Sequence, residues 1–324
     1  MKWTTEVYIP PLDFNLNYDD SVAFAGSCFV ENISSKMRDA GFRIDVNPFG
    51  IMYNPLSIAE GLYALLDKKV YKEEDLFEYQ GLYHSFSHHS RFSGTDPQTC
   101  LMGINERIRH SSAFLERASV LFVTFGTSFV YRLKTDRRIV SNCHKLPGNL
   151  FFSLRLKPEE IVAVWEGVIS GLIEKNPGLK IIFTVSPIRH LKDGAHENSL
   201  SKAGLLLAAD ELVKKYDFVH YFPSYEIMMD ELRDYRFYAD DMLHPSELAV
   251  EYIWQKFSGV FFDKEMETAI KEWNDIRKAL NHRPFNPGSE EYFRFRKKTE
   301  QRVLAFRRKY NVSVEGVDGL PDFI

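Results

Sequence analysis

Residues 22–30 read Val22-Ala23-Phe24-Ala25-Gly26-Ser27-Cys28-Phe29-Val30, and Ser34, Ser35, Lys36 and Arg38 follow as a polar helical face. Mostly apolar residues running into a glycine and a serine predict a strand, a tight turn and a helix. A serine in such a turn sits at the C-terminal edge of the strand and the N-terminal end of the helix. Its hydroxyl is accessible there, and nearby amide groups face developing negative charge. The turn therefore suits a nucleophile, although a serine that merely starts a helix produces the same pattern.

Outward from this stretch the pattern repeats. Phe42 to Val46 reads as a second short strand, leading into the breaker-rich turn Asn47-Pro48-Phe49-Gly50. Residues 55–66 form a helix that starts at Pro55 and carries Leu56, Ala59, Leu62 and Leu65 on one face. A helix is expected over residues 101–116, followed by a continuous apolar strand ending at Gly126, the pattern of a strand covered on both faces. Phe129–Tyr131 and Arg138–Val140 resemble a hairpin, Pro158 opens another helix, Leu179–Val185 is a further buried strand, and a helix covers residues 199–216. Phe218–Phe222 is a last short strand, with a helix beginning near Pro245. This alternation predicts an α/β fold, a three-layer sandwich around a parallel sheet. Residues 68–99 break the pattern with aromatic residues and read as an insertion near the site. From residue 263 to 324 only two helices are expected, making a C-terminal helical appendage to a domain spanning 1–262.

The composition narrows the function classes. With 324 residues and 44% hydrophobic content the chain can bury a full core. A net charge of -4 gives no general attraction to nucleic acid or an anionic membrane. The N-terminal stretch places Glu6, Pro10 and Pro11 where a signal peptide needs an apolar core, and no apolar run approaches the ~18 residues of a membrane span. Cys28, Cys100 and Cys143 show no C-x-x-C spacing and are too few to pair off completely. The expectation is a soluble cytoplasmic protein. Residues 292–309 hold eight Lys or Arg, but Phe295, Val303, Phe306 and Tyr310 make an apolar stripe among them, so the charges read as the solvated face of a packed helix.

A second chemical constellation is Tyr238-Ala239-Asp240-Asp241-Met242-Leu243-His244-Pro245-Ser246. Asp241 and His244 are three residues apart, so the carboxylate can meet the imidazole and fix its tautomer, as a general base requires. In a parallel sheet the loops after the strands share one edge, so a serine after the first strand and a histidine after the last can converge. His84, His88, His89, Cys143 and His144 are metal-ligand types, but they lack a helical pattern and lie in aromatic surroundings. They read as site-wall or core residues, and no metal is expected. His144, Arg189 and His190 are candidates for substrate contact, the last two because they follow a strand on the ligand-binding edge.

The motif Gly26-Ser27-Cys28-Phe29, with Val30 where alanine is usual, resembles the signature of the GSCFA family, a branch of the SGNH (GDSL-like) hydrolases. Asp241-x-x-His244 matches the terminal block of that superfamily, and Gly50 falls where its second-block glycine is expected. The resemblance covers roughly residues 20–260. It implies a flavodoxin-like sheet, Ser27 as nucleophile, His244 and Asp241 as base and orienting group, and an oxyanion hole from the Ser27 amide, the Gly50 amide and an asparagine side chain. Cys28 stands where the superfamily usually has aspartate, and Gly126 is followed by Thr127-Ser128 without the usual asparagine. Asn142 is the substitute expected from the sequence. The resulting expectation is an acyl esterase, cofactor-free, that removes a small acyl group such as acetyl from a carbohydrate or other small-molecule ester. Its alternatives are a thiol mechanism through Cys28 and a non-catalytic glycan- or protein-binding module on the same fold.

Overall fold

The structure, a computed structural model, describes residues 5–312. Five parallel strands form the central sheet: β1 (Ser21–Gly26), β2 (Arg43–Val46), β5 (Val120–Phe125), β9 (Lys180–Val185) and β10 (Val219–Tyr221), in the spatial order β10-β9-β5-β1-β2. Numbered only among themselves, the strands run 2-1-3-4-5, the flavodoxin-like order, with the strand order reversing at β1.

Side chains alternate along these strands and supply two cores. Ala23, Ala25, Leu121, Val123, Phe125, Ile181 and Phe183 face one side, under α2 (Pro55–Leu66), α3 (Pro97–Leu115), α4 (Pro158–Lys175) and α5 (Ala195–Lys215). Val22, Phe24, Val120, Phe122 and Ile182 face the other, under α1 (Cys28–Asp39), α7 (Glu247–Phe261) and α8 (Lys264–Leu280). Phe24 and Phe122 stack across β1 and β5 with ring centroids 5.0 Å apart. The result is a three-layer α/β/α sandwich.

Helix starts follow local chemistry. Asn54 caps α2 by accepting from the Ser57 amide at 2.8 Å, with Pro55 as the first helical residue. Asp96 does the same for α3 through Thr99, so α3 starts at Pro97, four residues before the position the apolar periodicity suggests. The expected hairpin after β5 is a three-stranded sheet, because β8 (Phe151–Arg155) pairs with β6 (Phe129–Leu133) beside the short β7 (Ile139–Val140). β8 escapes a periodicity reading since most of its side chains lie outside the core.

The insertion over 68–99 contains a β-hairpin, β3 (Phe77–Tyr79) with β4 (Leu82–His84). Phe86 from this segment joins Leu133, Val140 and Phe151 in a satellite core, with Phe77 stacked on Phe86 at 4.0 Å. At the other end of the chain, α9 (Glu290–Tyr310) inserts Val303 and Phe306 into the same core as α1 and α7. The buried stripe of α9 is Thr299, Val303 and Phe306, whereas Phe295 is partly exposed. Residues 313–324 of the expected appendage and Met1–Thr4 of the N-terminal stretch lie outside the described residues.

Candidate active site

Ser27 ends the turn after β1 and starts α1 in extended backbone. Gly26 makes this turn possible: its φ is +140°, and a Cβ there would lie 2.3 Å from the Thr124 carbonyl oxygen on β5. The Gly26 amide donates to Asn47 Oδ1 at 2.9 Å, which ties the β1 turn to the β2 turn. Ser27 is buried, with 1% of its surface exposed, and its Oγ has no hydrogen-bond partner among the described residues. A buried hydroxyl without a partner costs stability, so such a group is retained in a native structure only with a reason.

Asp241 and His244 lie in the loop before α7. Asp241 Oδ1 accepts from the Leu243 and His244 amides at 2.9 Å each, and its Oδ2 lies 2.5 Å from His244 Nδ1. Met242 takes φ of +58° to close this loop. The amides of His244 and Leu243, and then the imidazole, hold the Asp241 carboxyl down to about 2, so it is a carboxylate that can only accept. Nδ1 therefore carries the proton, and the free side of the ring is Nε2. That atom faces the β1–α1 turn and meets Cys28 Sγ at 3.9 Å. Side chains of both members of the pair are about half exposed, at 48% and 50%, whereas Ser27 lies beneath the surface.

The accessible hydroxyl expected of a serine in this turn is not what the geometry gives. Ser27 is the more buried of the two, and Cys28 reaches His244. Burial, chiefly, pushes the Cys28 thiol up, with the amides of Cys28 and Phe29 opposing. At neutral pH Cys28 is thus a thiol that can donate to Nε2.

The other expected site residues divide. The Ser27 amide donates to Thr124 O at 3.2 Å, continuing the sheet pairing. Gly50 takes φ of +81° and its amide closes a turn onto Asn47 O at 2.8 Å, so that donor is already engaged. Asn142 Oδ1 accepts from the His144 amide at 2.9 Å, a local turn bond, and no hydrogen bond joins Asn142 to Ser27 Oγ. His144 is buried in the satellite core region, its Nε2 2.8 Å from Ser85 O and its ring beside His84. His84 and His88 likewise meet Ser93 and Ser85 hydroxyls at 2.7 and 2.9 Å. Arg189 is exposed and lies against the Met229 sulfur.

His190 is different. Its ring packs edge-on to Tyr53 at 5.4 Å, its amide donates to Asn198 Oδ1, and its Nε2 is buried without a partner among the described residues. A Cβ placed on Gly126 would lie 3.3 Å from His190 Nε2 and 3.4 Å from Ser27 Cβ, so these two side chains pack against the same point of the backbone. Burial, reinforced by Lys202 and His244, holds the His190 imidazole down to about 4, keeping it neutral.

Two residues here escape a motif-based reading. Asn47, fully buried, binds the Gly26 amide while its Nδ2 has no partner. Lys202 is 1% exposed, and its Nζ donates to Gly126 O and Ser186 O at 2.7 Å each, joining the chain ends after β5 and β9. Its signal in the sequence is a lysine on the apolar stripe of α5, beside Leu205 and Ala209.

Among solved structures the chain resembles a carbohydrate esterase family 3 protein from Talaromyces cellulolyticus, at 10% identity and TM-score 0.36, over 78% of this chain and 99% of that one. It also resembles an acetyl xylan esterase from the rumen bacterium Butyrivibrio proteoclasticus, at 10% identity and TM-score 0.38, over 75% of this chain and 63% of that one. A GDSL-like lipase from Parabacteroides merdae matches at 15% identity and TM-score 0.40, over 77% of this chain and all of that one. Among curated proteins none matches significantly. The sequence pattern of the GSCFA family matches residues 21–257, and that of the GSCFA domain protein, C-terminal domain, matches residues 273–315. The first match spans most of the chain and contains both the Ser27 turn and the Asp241–His244 loop: this chain belongs to the GSCFA family.

Proposed function

We propose that this protein is an ester hydrolase that works by acyl transfer through Ser27, His244 and Asp241. The observation that carries the reading is the Asp241–His244 pair, whose second ring nitrogen faces the turn holding Ser27 at the N-terminus of α1. Ser27 Oγ attacks the ester carbonyl carbon while His244 Nε2 takes its proton. Asp241 holds the tautomer and balances the imidazolium. The proton passes to the departing alcohol oxygen, and water then repeats the sequence on the acyl-enzyme. This requires Cys28 Sγ to yield Nε2 to the serine hydroxyl, a change within neighbouring residues of one turn.

A small acyl group suits the site. Tyr53 O, His190 Nε2 and Ser27 Cβ would lie 3.0, 3.3 and 3.4 Å from a Cβ on Gly126, closer than ordinary contact, so the surroundings of Ser27 on this side are crowded. An acetyl ester of a carbohydrate or related small molecule fits both that restriction and the family resemblance. Hydrolysis of 4-nitrophenyl acetate by the wild-type chain, measured against Ser27→Ala and His244→Ala, tests the reading. Equal turnover in all three would overturn it.

The 3.9 Å approach of Cys28 Sγ to His244 Nε2 favours one second reading, a thiol nucleophile. Against it stands the raised thiol, which leaves little thiolate at neutral pH.

A further inference from the structure

We infer that His190 is the side-chain donor of the oxyanion hole, presenting a neutral imidazole Nε2–H to the carbonyl oxygen of the substrate. The inference rests on the serine reading above and adds a catalytic residue that the motifs of the chain do not contain.

The acyl-transfer chemistry puts negative charge on one oxygen next to the nucleophile, and a fixed donor aimed at that position is worth a factor of about 10²–10³ in rate. The backbone amides around the turn are engaged elsewhere. The Ser27 amide binds Thr124 O, the Gly50 amide binds Asn47 O, and the Gly126 and Thr127 amides both bind Tyr53 O. Asn142 is held in a turn by the His144 amide.

His190 meets the requirement in position, in lack of a partner and in charge state. A Cβ on Gly126 would meet His190 Nε2 at 3.3 Å and Ser27 Cβ at 3.4 Å, so the ring nitrogen and the nucleophile's side chain flank the same backbone atom at the end of β5. Nε2 is buried and has no hydrogen-bond partner among the described residues, although a buried ring nitrogen is normally paired. The ring cannot easily turn away, since Tyr53 packs on it and the backbone is pinned to Asn198. Lys202, fixed on the Gly126 and Ser186 carbonyls, opposes a second positive charge at His190. A neutral imidazole can donate from Nε2 without competing with His244 for the serine proton. Tyr53 O lies 3.0 Å from the same point and, as a carbonyl oxygen, repels an anion. The oxyanion is therefore assigned to the His190 side.

The test compares His190→Gln, which keeps an N–H donor at similar reach, with His190→Met, which keeps length and loses the donor. Turnover of 4-nitrophenyl acetate and the rate of Ser27 labelling by a fluorophosphonate are both measured on the full chain, with Tm as the folding control. His190→Met should lose about 10²-fold or more in kcat with little change in KM, and His190→Gln should recover at least tenfold of that loss. Labelling should slow in the same order. Equal activity of the Met and Gln variants, or a Met variant at wild-type kcat while Ser27→Ala is dead, overturns the His190 assignment alone. Full activity of Ser27→Ala, or a wild-type chain that neither turns over nor takes the label, overturns the serine reading beneath it.

Discussion

His244 Nε2 stands 3.9 Å from Cys28 Sγ, while the adjacent Ser27 Oγ is buried without a hydrogen bond. The imidazole thus rests on a weak thiol partner, and the hydroxyl beside it has no bond to break among the described residues. On the serine reading, Cys28 holds the imidazole in place until substrate arrives. Cys28→Ala should then keep kcat within about tenfold of wild type, whereas Ser27→Ala should lose on the order of 10³-fold or more. A fluorophosphonate adduct mapped by mass spectrometry should lie on Ser27 and be absent from His244→Ala. Inactivation by iodoacetamide at Cys28, with Ser27→Ala still active, would transfer the mechanism to the thiol.

Asp241→Asn should lower kcat by about 10²–10⁴, because an amide no longer enforces the Nδ1–H tautomer. It should also change the acid response of folding. The folded carboxyl is held at about 2, below its usual range near ~3.9, so its stabilising contribution is complete above the unfolded value and disappears as pH falls through the folded one. The Tm difference between wild type and Asp241→Asn should be constant above pH ~5 and narrow between pH ~4 and ~2. A difference that widens on acidification would contradict the capping role of Asp241.

Lys202→Met should uncover a slope on the alkaline side. Burial lowers the ammonium to about 7, with Cys28 opposing. Between that value and the ~10.4 of an unfolded lysine, the unfolded chain binds more protons, so this group's contribution to stability rises with pH. The wild-type advantage in Tm should be larger at pH 9.5 than at pH 6.5. The variant also strands two carbonyls, at a cost of about 1–3 kcal/mol per group left unpaired. A pH-independent Tm difference would mean that the lysine titrates at the same pH in the folded and unfolded chain.

Asn142→Ala should leave kcat within a few-fold of wild type, since its side chain serves the turn to His144. A loss of about 10²-fold in steady-state turnover, with Tm unchanged, would return it to the oxyanion hole.

Phe306→Ala should destabilise the fold by about 3–5 kcal/mol, the range for emptying a buried aromatic site. Phe306 is 2% exposed and packs on Trp273 at 5.2 Å and on Tyr18 at 5.7 Å, tying α9 to α8 and to the segment before β1. Urea denaturation in which α9 detaches without loss of the sheet would show it to be an independent element.

The sequence by itself determined the elements whose patterns are local. β1, its glycine turn and α1 are written in residues 22–38, because a both-faces-buried strand, a positive-φ glycine and an amphipathic helix each leave a short-range mark. α2 was legible to the residue for the same reason: a proline starts it and an apolar stripe runs along it. The Asp241–His244 pairing was also readable, since three residues of turn bring its two side chains together. Contacts between distant segments left no such mark. Only the tertiary structure decided that Cys28 faces His244, 216 residues away, and that the Gly50 amide and the Asn142 side-chain oxygen are spent on neighbouring turns. It alone brought His190 and Lys202 to Gly126 and Ser27, because parallel strands deliver their following loops to one sheet edge, and which side chains meet there depends on the order of the strands across the sheet.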